Sequence, residues 1–127
     1  MSNSVTATFA YGLVVDARDL DAGVASIADA IGVTAPEDAS MIDAIRESLD
    51  AIGLRFEPVG SWDDTSWMIG RVIAEADGDD AGYETTTPAK VVAAMRRTKA
   101  ASEVFAAIRR AFPWVKAPRL VVVVMRG

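Results

Sequence analysis

The segment Arg119–Met125 reads RLVVVVM, and it constrains the fold more than any other stretch of the chain. Consecutive β-branched side chains are stiff at χ1 and favour a pleated strand over a helix. A strand this apolar is normally covered on both faces, or lies at the centre of a sheet. The rest of the chain must therefore supply apolar layers to cover it. A second strand is legible at the other end, where residues 5–15, VTATFAYGLVV, alternate and then turn uniformly apolar.

Helical periodicity follows the first strand. Asp16 and Asp19 offer N-caps, and Leu20, Val24, Ile27 and Ile31 form one stripe, with Gly32 as its stop. Thr34 to Glu37 has capping-box spacing, and Pro36 suits a first helical turn. Ile42, Ile45, Leu49 and Ile52 then mark a second stripe, closed by Gly53. Leu54–Val59 reads as a short strand, placed at an edge by Pro58. Ser66–Ala74 is the next strand, and GSWDDT between them is a hairpin loop. After the acidic loop 76–83, one long helix is expected over about 88–112, ended by Pro113. Its core stripe is Val91, Ala94, Thr98, Ala101, Phe105, Ile108 and Phe112.

The order is β-α-(α)-β-β-α-β in a single α/β domain spanning residues 1–127. That order predicts an α+β fold with a four-stranded mixed sheet in a split-βαβ, ferredoxin-like layout, its helices mainly on one face. If only one face is covered, the other face of RLVVVVM lacks a partner. A homo-oligomer formed through the sheet is then one way to cover it.

Composition removes most catalytic chemistries. The 127 residues contain no Cys and no His. There is thus no thiolate nucleophile, no disulfide, no imidazole base and no Cys or His metal ligand. A net charge of −5 argues against a broad nucleic-acid footprint. No apolar run is long enough for a transmembrane helix, and the N-terminus lacks the basic region of a signal peptide. A cytoplasmic location without membrane contact is the expectation. Ten Arg against three Lys, with abundant Ala, suggest a high-GC coding sequence.

Four constellations could carry function. Ser61–Trp67 places Trp62, Asp63, Asp64 and Trp67 in and beside the hairpin. Trp is enriched at binding hot spots, so these four residues are the candidate partner-binding site. The plainer alternative has Trp67 on the core face and Trp62 folded over the sheet edge. Two adjacent Asp without a third ligand do not make a metal site. The stretch Asp77–Asp80 departs from an EF-hand loop, because its Gly comes too early, and it reads as a solvated loop. Arg96, Lys99 and Arg110 share the helix face opposite the core stripe and form a secondary surface, with Lys99 and Glu103 spaced as an ion pair. Phe112-Pro113-Trp114-Val115 reads as a packed corner. No phosphate-cradling loop occurs, and no metal or cofactor is expected.

The strand ATFAYGLVV, the hairpin SWDDTSWMIG and the Arg- and Ala-rich composition resemble short orphan accessory proteins of phages that infect actinobacteria. That resemblance implies a small protein acting in the cytoplasm of an infected bacterium, commonly by binding a host protein. It carries no catalytic residue over. The expected function is a non-enzymatic protein-binding module that engages a host bacterial protein. The alternatives are a self-associating structural protein, or a small carboxylate enzyme using Glu57, Asp63, Asp64 and Glu75.

Overall fold

A computed structural model of the chain describes residues 5–16, 20–37, 39–59, 66–78, 85–96 and 98–126. The elements run β1 (Val5–Asp16), α1 (Leu20–Ala30), α2 (Met41–Asp50), β2 (Arg55–Val59), β3 (Ser66–Gly78), α3 (Pro88–Met95), α4 (Lys99–Ala111) and β4 (Arg119–Arg126). The four strands form one sheet in the order β2-β3-β1-β4, and every neighbouring pair is antiparallel. The expected mixed sheet is corrected here. Each helical crossover joins two parallel strands but leaves one strand's width between them. β3 fills the gap between β1 and β2, and β1 fills the gap between β3 and β4.

Helices α1 and α2 close as the sequence predicts. Gly32 (φ 71°) and Gly53 (φ 79°) take the left-handed conformation. The Val33 and Leu54 amides then donate back to the Ala28 and Leu49 carbonyls at 2.8 and 2.9 Å, each capping a helix end. The start of α2 differs from expectation. Thr34–Glu37 does not open a helix, and Ser40 is the N-cap instead. The expected long helix is two. Arg96 leaves helical geometry (ψ 101°), and Thr98 caps α4 by accepting from the Ala101 amide at 3.1 Å. Thr98 thus serves the helix start and leaves the core stripe, because its hydroxyl satisfies a free amide there.

One face of the sheet meets all four helices. Tyr11, Leu13 and Val15 of β1, Phe56 of β2 and Trp67 and Ile69 of β3 pack with Val24, Ile27, Ile45, Leu49, Ala94, Ala101, Phe105 and Ile108. The opposite face has its own small core of Ala10, Met68 and Val123, flanked by Val59, Val72 and Val121. Val59 lies on one edge strand and Val121 on the other, and the two edges come into contact. The sheet therefore curls strongly over this face. Two features produce the curl. An irregularity between Phe9 and Ala10 leaves Ile73 of β3 unpaired. Gly12 and Gly70 lie directly opposite each other, and a Cβ on Gly12 would land on the Ile69 carbonyl oxygen.

The expected central, doubly covered position of RLVVVVM is also corrected. β4 is an edge strand bonded to β1 alone. Val121 and Val123 point into the small core, while Leu120, Val122 and Val124 on the helix side stand 43, 65 and 52 % exposed. Alternation along the strand divides its apolar residues between a covered and an open face.

Gly12→Ala is expected to destabilise the chain by about 3 kcal/mol, since backbone must move to admit the methyl group. Gly32→Ala, with open space around its Cβ position, is expected to cost about 1 kcal/mol from its left-handed backbone alone. Urea unfolding of the two variants checks this order.

Candidate functional site

Trp62, Asp63 and Asp64 lie outside the described residues. Trp67 does not face solvent. Alternation along β3 puts it on the helix-covered face with Ile69, and it is 4 % exposed. Its ring stacks on Phe56 of the paired strand, with centroids 4.4 Å apart and planes within 4°. Such a pair adds about 1 kcal/mol beyond its burial. Its indole N–H is buried with no hydrogen-bond partner among the described residues, so the ring is held by packing. Trp67 is therefore a core residue that fixes the base of the hairpin, and it offers no contact surface of its own.

The carboxylates considered for catalysis are partly assembled. Arg55 lies opposite Gly70 on the curled face and reaches both Glu57, at 3.4 Å, and Glu75. The Thr8 hydroxyl, itself buried, donates to Glu75 at 3.0 Å. The guanidinium bonds both carboxylates, so the trio straps β2 to β3, and Thr8 extends the strap to β1. Asp63 and Asp64 lie outside the described residues. No group of three potential metal-ligating side chains occurs among the described residues. Ala76, Asp77 and Gly78 of the expected acidic loop belong to β3 instead, where Asp77 accepts the Thr6 hydroxyl at 2.7 Å, while residues 79–83 lie outside the described residues.

The basic surface is divided by the helix break. Arg96 closes α3, Lys99 opens α4, and Arg110 stands near the end of α4. All three are exposed, but Arg96 does not continue the α4 face, so the expected single stripe is not formed. Lys99 and Glu103 do pair, at 3.9 Å and well exposed, an interaction worth a few tenths of a kcal/mol, about 0.3. Arg96 and Arg71 border a cleft of about 70 Å³ at the break, too small for an organic ligand.

RLVVVVM has an open face, as its sequence suggests, but it is the helix-side face and not the one away from the helices, which the curl closes. Leu120, Val122 and Val124 lie side by side with Tyr11, Phe9 and Ala7 of β1, so β4 extends an apolar face beyond the helix layer. The two sheet edges are treated differently. β2 carries Pro58, which lacks an amide hydrogen, and the charged pair Arg55 and Glu57, devices that discourage strand addition. β4 has no charge between Arg119 and Arg126.

No protein-family model matches the chain, and no curated protein or solved structure is detectably similar to it. The reading of the site therefore rests on its geometry. Among the described residues no helix is long and apolar enough to cross a membrane.

Phe56→Ala is expected to cost about 3–5 kcal/mol, because it removes the stacked partner of Trp67 from the core. Arg55→Met, which removes a partly exposed ion-pair strap, is expected to cost no more than about 1 kcal/mol. Chemical denaturation of both variants tests whether packing or the charged strap holds the hairpin strands.

Proposed function

We propose that the chain is a non-enzymatic protein-binding module whose partner covers the open face of β4. The observation that carries this reading is the row Leu120, Val122 and Val124, with Val122 the most exposed at 65 %. Removing such side chains from water stabilises a complex by on the order of 1 kcal/mol each. Exposed apolar patches of this kind mark interaction sites more often than they mark simple surface. The Arg55 strap between Glu57 and Glu75 weighs against carboxylate catalysis, since it holds both acids in one ion-pair network.

The strand order and the two strand-skipping crossovers support a split-βαβ, ferredoxin-like classification. The resemblance of ATFAYGLVV and SWDDTSWMIG to actinobacterial phage accessory proteins supports a host bacterial protein as the partner, met in the host cytoplasm. In this reading the hairpin residues Trp62, Asp63 and Asp64 form a second part of the contact. Self-association is the competing reading, and the uncharged β4 edge is what favours it, because a second copy would present the same edge.

The test pairs Val122→Lys with the parent chain. The substitution is expected to leave thermal stability within about 1 kcal/mol, since the side chain points to water. It is expected to abolish capture of a host protein from actinobacterial lysate and to abolish binding when that protein is purified and titrated. Trp62→Ala/Asp63→Ala, run alongside, tests the hairpin. A defined oligomer that Val122→Lys converts to monomer, with no other protein bound, would overturn the partner reading in favour of self-assembly.

A further inference from the structure

A second feature lies at the start of β4, on the other face of the sheet. β1 continues to Asp16, but β4 pairs with it only as far as Gly12, opposite Arg119. Beyond that point the corner between α4 and β4 passes beside the end of β1. The two enclose a cavity of about 360 Å³, within the range of roughly 300–1,000 Å³ that organic ligands occupy. Gly12, Val14 and the acidic Asp16 line it from β1, and Trp114, Lys116 and Arg119 line it from the corner.

The corner differs from the packed turn that its sequence suggests. Phe112 is buried, but Trp114 is 62 % exposed. The exposed indole is nonetheless fixed at two points. Its N–H donates to the Asp16 carbonyl at 3.2 Å, and its ring meets Phe112 edge to face at 5.6 Å. An aromatic surface held open to solvent in this way is pre-organised for stacking.

The two cations on the same wall are not neutralised by a neighbour. Neither Lys116 nor Arg119 takes part in an ion pair among the described residues. The carboxylate in the lining, Asp16, makes no ion pair with either, and it accepts the Ser66 hydroxyl at 3.3 Å on the β3 side. The Arg119 Nε–H donates to the Ala117 carbonyl at 3.3 Å, which holds its guanidinium at the corner. The chain as a whole carries −5, but at physiological salt that field is screened within about 8 Å. Local charge decides what enters, and here the two cations Lys116 and Arg119 outweigh the one lining carboxylate, Asp16.

We infer that this cavity binds a small planar anion, with its ring against Trp114 and its anionic group between Lys116 and Arg119. A phosphate head and a carboxylate head share the required chemistry, and the probes below separate them. The site lies on the opposite face of β4 from the apolar row, so it stands or falls independently of the partner reading.

The test follows the Trp114 indole N–H resonance of the full-length chain, assigned by its loss in Trp114→Phe. Adenosine monophosphate and 2-naphthoate are titrated as ring-bearing anions, with inorganic phosphate and adenosine as the separated halves. The expected result is a saturable shift with at least one ring-bearing anion, and binding at least about tenfold weaker for each half alone. Saturation by the monophosphate assigns a phosphate head, and saturation by 2-naphthoate assigns a carboxylate head. Lys116→Ala and Arg119→Ala, each confirmed folded by circular dichroism, are expected to weaken binding about tenfold by removing a charge-assisted contact. The inference is overturned if neither ring-bearing anion saturates in the millimolar range. It is equally overturned if both alanine variants bind unchanged, or if phosphate alone binds as well as the monophosphate.

Discussion

The two central strands approach so closely at Gly12 and Gly70 that a side chain on Gly12 would strike the facing backbone, and one on Gly70 would stand only 3.0 Å from the Tyr11 carbonyl oxygen. Together with the extra residue at Ile73, this contact curls the sheet until its two edges touch. Curling closes one face without a helix. Ala10, Met68 and Val123 are shut in by Val59 from one edge and Val121 from the other, and Arg55 straps the polar end of the same face. All four helices are then free to pack on the opposite face. A flat sheet would need a second helix layer, which a chain of 127 residues with four short helices does not have.

That economy has a consequence at β4. The helices converge on β1, β2 and β3, so among the described residues the main core draws none from β4. On the curled side of β4, Val123 is buried and Val121 half-buried, and the alternate Leu120, Val122 and Val124 are left in water. The protein does not blunt this strand as it blunts β2. A charge or a proline at position 122 or 124 would be compatible with the exposure seen there, yet both positions are Val. Folding alone does not require apolar residues on an open face. Their presence is the reason to assign that face a binding role.

Much of this architecture is legible from periodicity. The alternation in 5–15, the stripes ending at Gly32 and Gly53, and the hairpin between Pro58 and Ser66 each appear where local pattern places them. The failures share a cause. Val91, Ala94, Thr98 and Ala101 are in phase on a continuous helix, but Thr98 is also a strong N-cap, and the chain uses it as one. Thr34–Glu37 matches a capping box, yet Ser40 starts the helix, because a local motif does not by itself fix where packing begins. The edge position of β4 escapes local pattern for a different reason. Hydrophobicity reports how much surface a strand must hide, whereas strand order decides how much is hidden, and strand order is a long-range property.

The tryptophans show how the same limit acts on a site. Trp67 lies within an alternating strand, so its face is set by Ile69 two residues on and by Phe56 across the pair. Its burial can be read from that alternation. Trp114 follows a helix stop, where no period applies. Its direction is set by the turn from Phe112 to Val115, in which the Val115 amide donates to the Phe112 carbonyl at 2.9 Å. Burying Phe112 and Val115 on either side of that turn leaves the residues between them on the outside. Proline at 113 cannot continue the helix, so a turn must occur here. A large aromatic residue placed inside an obligatory turn, between two residues the core requires, is forced toward solvent. Corners of this kind are where exposed aromatic side chains should be sought when periodicity is silent.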